Sequence, residues 1–335
     1  MENLVNSSPL ILVLVFLVIG FAFLMKGADF FVEGSSSIAK RLKVPPIIIG
    51  LTIVAMGTSL PETAVSVTAS LVNNNELAVS NVVGSNIFNL MVVVGVCSIL
   101  TPILVQKETI KRDIPFSMIC AFLLLGLGIL AVGDKSGMTL GHLDGMILLG
   151  FFAGYIVVMI QSAMKARAAG KNVDMEGMEE LEEEIGILSW PKSILFIVGG
   201  ALAIAFGGDL TVDAASRIAI DLGMSQTLVG LTIVSIGTSL PELVTSVVAA
   251  RKNEVDMAVG NAVGSNIFNI LMVLGVASAI NPVALIRENI IDIVILIVFS
   301  LIVWIYAATK RKISRKEGIS MVCLYLIYAG YIIWR

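Results

Sequence analysis

Charged side chains are scarce: Asp, Glu, Lys and Arg make up 14% of the 335 residues, against 57% hydrophobic. Soluble domains carry about a quarter charged residues and less than half apolar ones. No polar segment exceeds about 25 residues, which excludes a large soluble core. Histidine is limited to His142, at a loop edge. One peripheral imidazole supplies neither a soft-metal centre nor the base of an enzymatic nucleophile, so neither an enzyme nor a cofactor is expected. The three cysteines, Cys97, Cys120 and Cys323, all sit in apolar stretches without metal-ligand spacing. They are expected to be small buried hydrophobes, with no disulfide framework. No Lys or Arg precedes Lys26, so the first apolar stretch lacks the positive start of a secretory signal and is expected to stay as a span. Net charge is −3, and no nucleic-acid partner is expected.

What the chain has instead is apolar length. Mean hydropathy is +0.97. A bilayer span needs about 20 mostly apolar residues. Ten stretches qualify: 10–38, 46–71, 77–100, 114–133, 143–164, 191–218, 226–250, 257–281, 290–308 and 317–334. The expected fold is all-α, a polytopic membrane protein of ten transmembrane helices with the lipid bilayer as its partner.

The few positive charges fall on alternate loops. Loops after odd-numbered stretches carry Lys40, Arg41 and Lys43; Lys107, Lys111 and Arg112; Lys165, Arg167 and Lys171; Arg251 and Lys252; and five residues between Lys310 and Lys316. The other loops hold only Lys135, Arg217 and Arg287. Cytoplasmic loops are the Lys/Arg-rich ones. A cell-membrane location is expected, with both termini outside and the long loop 165–190 in the cytoplasm. That loop carries Asp174, Glu176, Glu179, Glu180, Glu182, Glu183 and Glu184 without the glycine spacing of a Ca2+-binding loop, and reads as a solvated linker.

The chain repeats itself. Residues 50–102 and 230–282 align at an offset of 180 without a gap, and 30 of 53 positions are identical. Upstream, Gly27, Asp29, Val32 and Ser36 match Gly207, Asp209, Val212 and Ser216. The expected units are a first repeat, 1–164, the cytoplasmic linker 165–190, and a second repeat, 191–335. Each repeat holds five spans, an odd number, so the second enters the membrane inverted. Inverted repeats recur in secondary transporters, with substrate sites near the midplane on interrupted helices.

Polar residues are retained in both copies at mid-membrane depth. Gly57-Thr58-Ser59-Leu60-Pro61-Glu62 interrupts the second stretch and Gly237-Thr238-Ser239-Leu240-Pro241-Glu242 the seventh. Proline lacks an N–H and clashes with the carbonyl four residues back, so each helix should kink and free carbonyls. Lipid cannot satisfy those groups. A charge at the bilayer centre costs at least about 2.5 kcal/mol, which makes Glu62 and Glu242 candidates for function. Thr58, Glu62 and Ser66 share a helix face by their spacing of four, as do Thr238, Glu242 and Ser246. Asn81, Ser85 and Asn89 repeat that spacing in the third stretch, and Asn261, Ser265 and Asn269 in the eighth. All-oxygen donors with carboxylates suit hard cations. Asn86 and Asn266 point about 100° away from Ser85 and Ser265, and two roles stay open for them, site residues or helix-to-helix amide bonds. Asp29 and Asp209 are expected to cap or pair near the membrane surface.

With its paired GTSLPE and GSNIFN motifs, the chain resembles the cation/calcium exchanger superfamily, in particular the prokaryotic sodium/calcium exchangers. The resemblance covers the whole chain. It implies ten helices, with stretches two, three, seven and eight around the ions, and long first and sixth helices that slide across the rest. It implies Na+ and Ca2+ as transported ions, with Glu62, Glu242, Thr58 and Thr238 as Ca2+ ligands. It implies Na+ sites formed by Ser59, Ser85, Ser239 and Ser265 with the carbonyls of Ala55 and Ser235, and Asn89 and Asn269 lining the centre. Some relatives carry Asp where this chain has Asn269, so K+ dependence is not expected. The function expected is Na+/Ca2+ antiport by alternating access, electrogenic and carried by a monomer. The rivals are an H+/Ca2+ antiporter, whose branch shows G-N-x-x-E in place of GTSLPE, and a cation channel.

Overall fold

The computed structural model describes residues 2–71, 75–130, 138–168, 187–224 and 235–334. Lys135, Lys171 and the acidic residues between 174 and 184 lie outside the described residues. After a short helix, Glu2–Ser7, come α1 (Leu10–Leu42), α2 (Pro46–Thr58), α3 (Leu60–Leu71) and α4 (Ala78–Leu100). They are followed by α5 (Thr109–Ile129), α6 (His142–Ala168) and α7 (Trp190–Asp221). The last four are α8 (Leu240–Arg251), α9 (Val255–Ile280), α10 (Arg287–Lys310) and α11 (Arg315–Trp334).

Among the described residues, eight of these helices are long and apolar enough to cross a membrane, and α2 with α3 forms a ninth, bent span. The bend is 47° and falls at Ser59, two residues before Pro61. Proline tolerates the first helical turn, where its missing N–H costs nothing, so it opens the new helix α3. Pro241 does the same for α8, with Ser239 as the flanking residue. Before α8 lies the short helix Ser235–Gly237; residues 225–234 are outside the description.

The long pair α1 and α7 packs backbone to backbone. Gly20, Gly27 and Gly34 recur every seven residues on α1, facing the equally spaced Gly207, Gly200 and Ser193 of α7. The order of contacts is reversed between the helices, so they run antiparallel. A Cβ at Gly27 would stand 2.9 Å from the Ile204 nitrogen, and one at Gly207 would stand 2.7 Å from the Gly20 carbonyl oxygen. Small residues permit such approach, which in lipid replaces the hydrophobic drive available in water. Toward its C-terminal half, α1 is tied to the α8–α9 turn. Lys252 Nζ lies 3.5 Å from Asp29 Oδ1 and donates to the Asp29 carbonyl oxygen at 3.0 Å, while Ser36 donates to Glu254 Oε1. Asp29 therefore pairs, as expected.

The centre belongs to α4 and α9. In each, 78% of the most apolar stretch is buried, against 17% for α11. Both pass through a π-helical turn at matching places, Asn89–Val93 and Asn269–Val273. Such turns widen the helix locally and concentrate at functional sites. Two short antiparallel ribbons tie the ends together: Ile103–Leu104 pairs with Lys312–Ile313, and Thr139–Leu140 with Val283–Ala284. Cys97 and Cys120 are buried as expected, but Cys323 is exposed on α11. Apolar neighbours in sequence do not bury a residue when its helix lies at the rim, where the other side is lipid.

Candidate ion-binding site

The two breaks meet at the centre of the protein. Glu62 sits in the first turn of α3 and Glu242 in the first turn of α8, where the positive end of a helix dipole favours a carboxylate. Both are completely buried. Neither forms an ion pair with a described side chain. Each instead receives a hydroxyl from the other copy. Ser59 donates to Glu242 Oε1 at 2.9 Å, and Ser239 donates to Glu62 Oε1 at 3.3 Å. Ser85 of α4 adds a donor to Glu62 Oε1 at 3.4 Å.

The threonines of the breaks face asparagines of the opposite copy. Thr58 donates to Asn261 Oδ1 at 3.0 Å and Thr238 to Asn81 Oδ1 at 3.3 Å. The amide nitrogens of those asparagines then hold their own copy's broken helix. Asn261 reaches Ser246 at 2.9 Å and the Glu242 carbonyl at 3.3 Å. Asn81 reaches Ser66 at 3.1 Å and the Glu62 carbonyl at 3.5 Å. Asn81, Asn261, Ser66 and Ser246 thus buttress the breaks, where spacing alone had put them among the oxygens of the centre. Glu62 and Glu242 are brought together through Ser59 and Ser239, while Thr58 and Thr238 lie with Asn261 and Asn81 on either side of them.

Among the described residues twelve buried side-chain oxygens have no hydrogen-bond partner, and five of them belong to the two break motifs and to α4 and α9 beside them: Glu62 Oε2, Glu242 Oε2, Ser265 Oγ, Asn89 Oδ1 and Asn269 Oδ1. Buried polar groups are nearly always paired, and an orphan carboxylate oxygen is costly. Four of these five form matching pairs at the repeat offset, Glu62 with Glu242 and Asn89 with Asn269. The set is all oxygen and carries negative charge, which fits a hard cation. The Ala55 carbonyl accepts the Ser59 N–H at 3.1 Å, closing the last turn before the break. Ser235 opens the helix Ser235–Gly237.

The two ends of the site are not equally covered. Thr58, Ser59 and Asn261 are fully buried, while Thr238 and Asn81 are partly exposed. The residues packed over the breaks differ as well. The Phe31 ring occupies the space a Cβ would need at Gly57, and Val212 does so at Gly237. At the repeat offset Phe31 matches Thr211, not Val212, so α1 and α7 sit in different registers on the two breaks.

For Asn86 and Asn266 the sequence leaves two roles open. Asn86 Nδ2 donates to the Asn266 carbonyl at 3.1 Å, and Asn266 Nδ2 to the Asn86 carbonyl at 3.0 Å. They clasp α4 to α9. Only their occurrence in both copies marked them, and the register that brings them together is a tertiary fact.

Known proteins resemble this chain along nearly its full length. The model of the family described as sodium/calcium exchanger protein matches residues 12–161 and 192–334. The sodium/calcium exchanger MaX1 of Methanosarcina acetivorans is 33% identical over 336 residues, covering 93% of this chain and 96% of that protein. The inner membrane protein YrbG of Escherichia coli is 32% identical over 324 residues, covering 95% of this chain and 94% of its own. A solved structure of the sodium-calcium exchanger NCX_Mj, soaked with 10 mM Na+ and no Ca2+, superposes with a TM-score of 0.80 at 31% identity. The match covers 96% of this chain and 99% of that one.

Proposed function

The chain belongs to the sodium/calcium exchanger protein family, and from that premise we propose that it exchanges Na+ for Ca2+ at one site shared by Glu62 and Glu242. It is a multi-pass membrane protein of an ion-exchanging antiporter family. The observation that carries the finer reading is the reciprocal pair of buried glutamates. Each is held through one oxygen by a serine of the other copy, and each keeps its second oxygen unpartnered.

In this reading Glu62, Glu242, Thr58 and Thr238 bind Ca2+. Ser59, Ser85, Ser239 and Ser265 serve Na+ beside them, with the carbonyls of Ala55 and Ser235, and Asn89 and Asn269 line the centre. Two ionised carboxylates are neutralised by one Ca2+ or by two Na+. A third Na+ leaves a net charge on the loaded form, and moving it is worth about 2.3 kcal/mol per 100 mV. Exchange is then electrogenic. An empty site leaves two carboxylates facing each other in a poor dielectric, so crossing without ions is disfavoured. That penalty enforces coupling and separates an exchanger from a channel. Among the described residues the carboxylates bonded to the site's serines are Glu62 and Glu242 alone, which leaves no further charge beside them to balance K+, and transport is K+-independent. One chain holds a whole site, and exchange needs no second copy.

The architecture behind this reading is ten spans as two inverted repeats, 1–164 and 191–335, joined by a cytoplasmic linker, 165–190. Both termini lie outside by the Lys/Arg distribution. The better exposed side, at Thr238 and Asn81, is then extracellular, and alternating access moves α1 and α7 over the breaks. The test is Ca2+ uptake by proteoliposomes loaded with Na+ and diluted into Na+-free buffer. Accumulation on the Na+ gradient is expected. Uptake that follows an imposed pH gradient and ignores Na+ would replace this reading with H+/Ca2+ exchange.

A further inference from the structure

We propose that Asn86 and Asn266 are positioning residues, which fix the end of the Asn89 and Asn269 amides that faces the transported ion. The inference rests on the exchange reading above and deepens it at the same site.

The orientation of the four amides follows from which of their partners can only accept. The partner of Asn86 Nδ2 is the backbone carbonyl of Asn266, at 3.1 Å, and the partner of Asn266 Nδ2 is the backbone carbonyl of Asn86, at 3.0 Å. A carbonyl oxygen accepts and never donates, so the NH2 end of each amide must lie there. The orientation of both groups is thereby set by chemistry rather than by choice of label. Their Oδ1 atoms must then point the other way, and each is an acceptor. Asn269 Nδ2 lies 3.2 Å from Asn86 Oδ1, and Asn89 Nδ2 lies 3.2 Å from Asn266 Oδ1. An acceptor at those places requires a donor opposite, which fixes the second pair of amides in turn. Turning Asn89 or Asn269 over would set oxygen against oxygen at that distance.

The consequence appears at the other end of the chain of bonds. With their nitrogens engaged, Asn89 and Asn269 are left with Oδ1 buried and unpartnered. Asn89 is one helical turn from Ser85, whose hydroxyl reaches Glu62. Its oxygen thus belongs with the glutamate oxygens that also lack partners. A cation meets the negative ends of two amides, where NH2 groups would repel it. Four asparagines form a closed, reciprocal clasp in which the outer pair carries the orientation and the inner pair presents it. The clasp also uses the π-helical turns that begin at Asn89 and Asn269.

A double-mutant cycle in reconstituted protein tests this. Asn86→Leu, which keeps the branching and heavy-atom count but is bulkier and has no polar atom, removes the acceptor that orients Asn269. The KM for Ca2+ should rise on the order of tenfold while the maximal rate changes far less, since the glutamates and the breaks are untouched. In an Asn269→Leu background the same change should cost no further affinity, because the amide it orients is gone. In an Asn89→Leu background the cost should persist. Where leucine prevents folding, Asn86→Ala runs the same cycle without added bulk. A loss of maximal rate at unchanged KM, or a KM cost that persists in the Asn269→Leu background, would overturn the assignment while leaving the exchange reading intact. A wild-type chain that takes up no Ca2+ on a Na+ gradient would overturn both.

Discussion

Gly264→Ala in α9 should weaken ion binding from a distance, through a single methyl group. The added Cβ would stand 2.7 Å from both the Cα and the carbonyl oxygen of Leu51, and 2.8 Å from the Ala55 Cβ. Two of those three atoms are backbone and cannot rotate away. Restoring an ordinary contact of 3.4 Å requires α2 and α9 to part by about 0.7 Å. Thr58 and Asn261 bridge the same pair of helices at 3.0 Å, so the shift stretches their hydrogen bond to about 3.7 Å, beyond useful range. Overpacking costs about 1–3 kcal/mol, and the lost bond adds about 0.5–1.5 kcal/mol. Part of that falls on folding and part on the geometry of the break. The expected result is a lower thermal midpoint in detergent and a Ca2+ KM raised by roughly tenfold. Gly150→Ala is the control, because Gly150 is exposed on α6 and a Cβ there meets nothing within 4 Å. Wild-type KM and midpoint in Gly264→Ala, or equal damage from Gly150→Ala, would refute the reasoning.

Glu62→Gln and Glu242→Gln should each leave a folded protein and abolish Ca2+ exchange, since removing one partner of a buried charge set costs about 3–5 kcal/mol, about two to four orders of magnitude in affinity. Normal exchange in either variant, measured by vesicle uptake, would make that carboxylate structural. Lys171→Cys and Lys135→Cys, in a cysteine-free background, should label from opposite faces of intact cells; labelling from one face breaks the inverted topology. Replacing K+ by choline should leave Na+-driven Ca2+ uptake nearly unchanged. Asn269→Asp should introduce K+ or pH sensitivity, because a carboxylate cannot donate to Asn86 Oδ1 unless it takes up a proton; a strict K+ requirement in the unmodified chain would defeat this.

The sequence makes the breaks and their carboxylates legible, because a proline without an N–H and a mid-span glutamate are local facts with few structural solutions. The pairing of the copies is legible too, since the same residues recur at a fixed offset. The partners are not. Spacing of four puts Asn81 and Asn261 on a common face with Ser85 and Ser265, yet their amides turn to Ser66 and Ser246 and hold the breaks. A helical face is wide enough to serve two neighbours, and spacing does not say which. Asn86 and Asn266 escape for a similar reason. Their meeting depends on how α4 crosses α9, where each donates to a carbonyl of the other. The glycines of α1 and α7 are visible as sevenfold spacings, but their mutual contact is fixed only once the two helices lie antiparallel. Cys323 shows the converse limit: apolar surroundings in sequence cannot separate a core face from a lipid face.

The central claim is that Na+ and Ca2+ use one site built on Glu62 and Glu242. It is tested most directly by Ca2+ binding to the purified protein at rising Na+, read by titration calorimetry. The predicted result is a Ca2+ affinity that falls steeply and cooperatively as Na+ rises, because more than one Na+ must replace each Ca2+. A Ca2+ affinity that stays constant across the Na+ series would contradict the account.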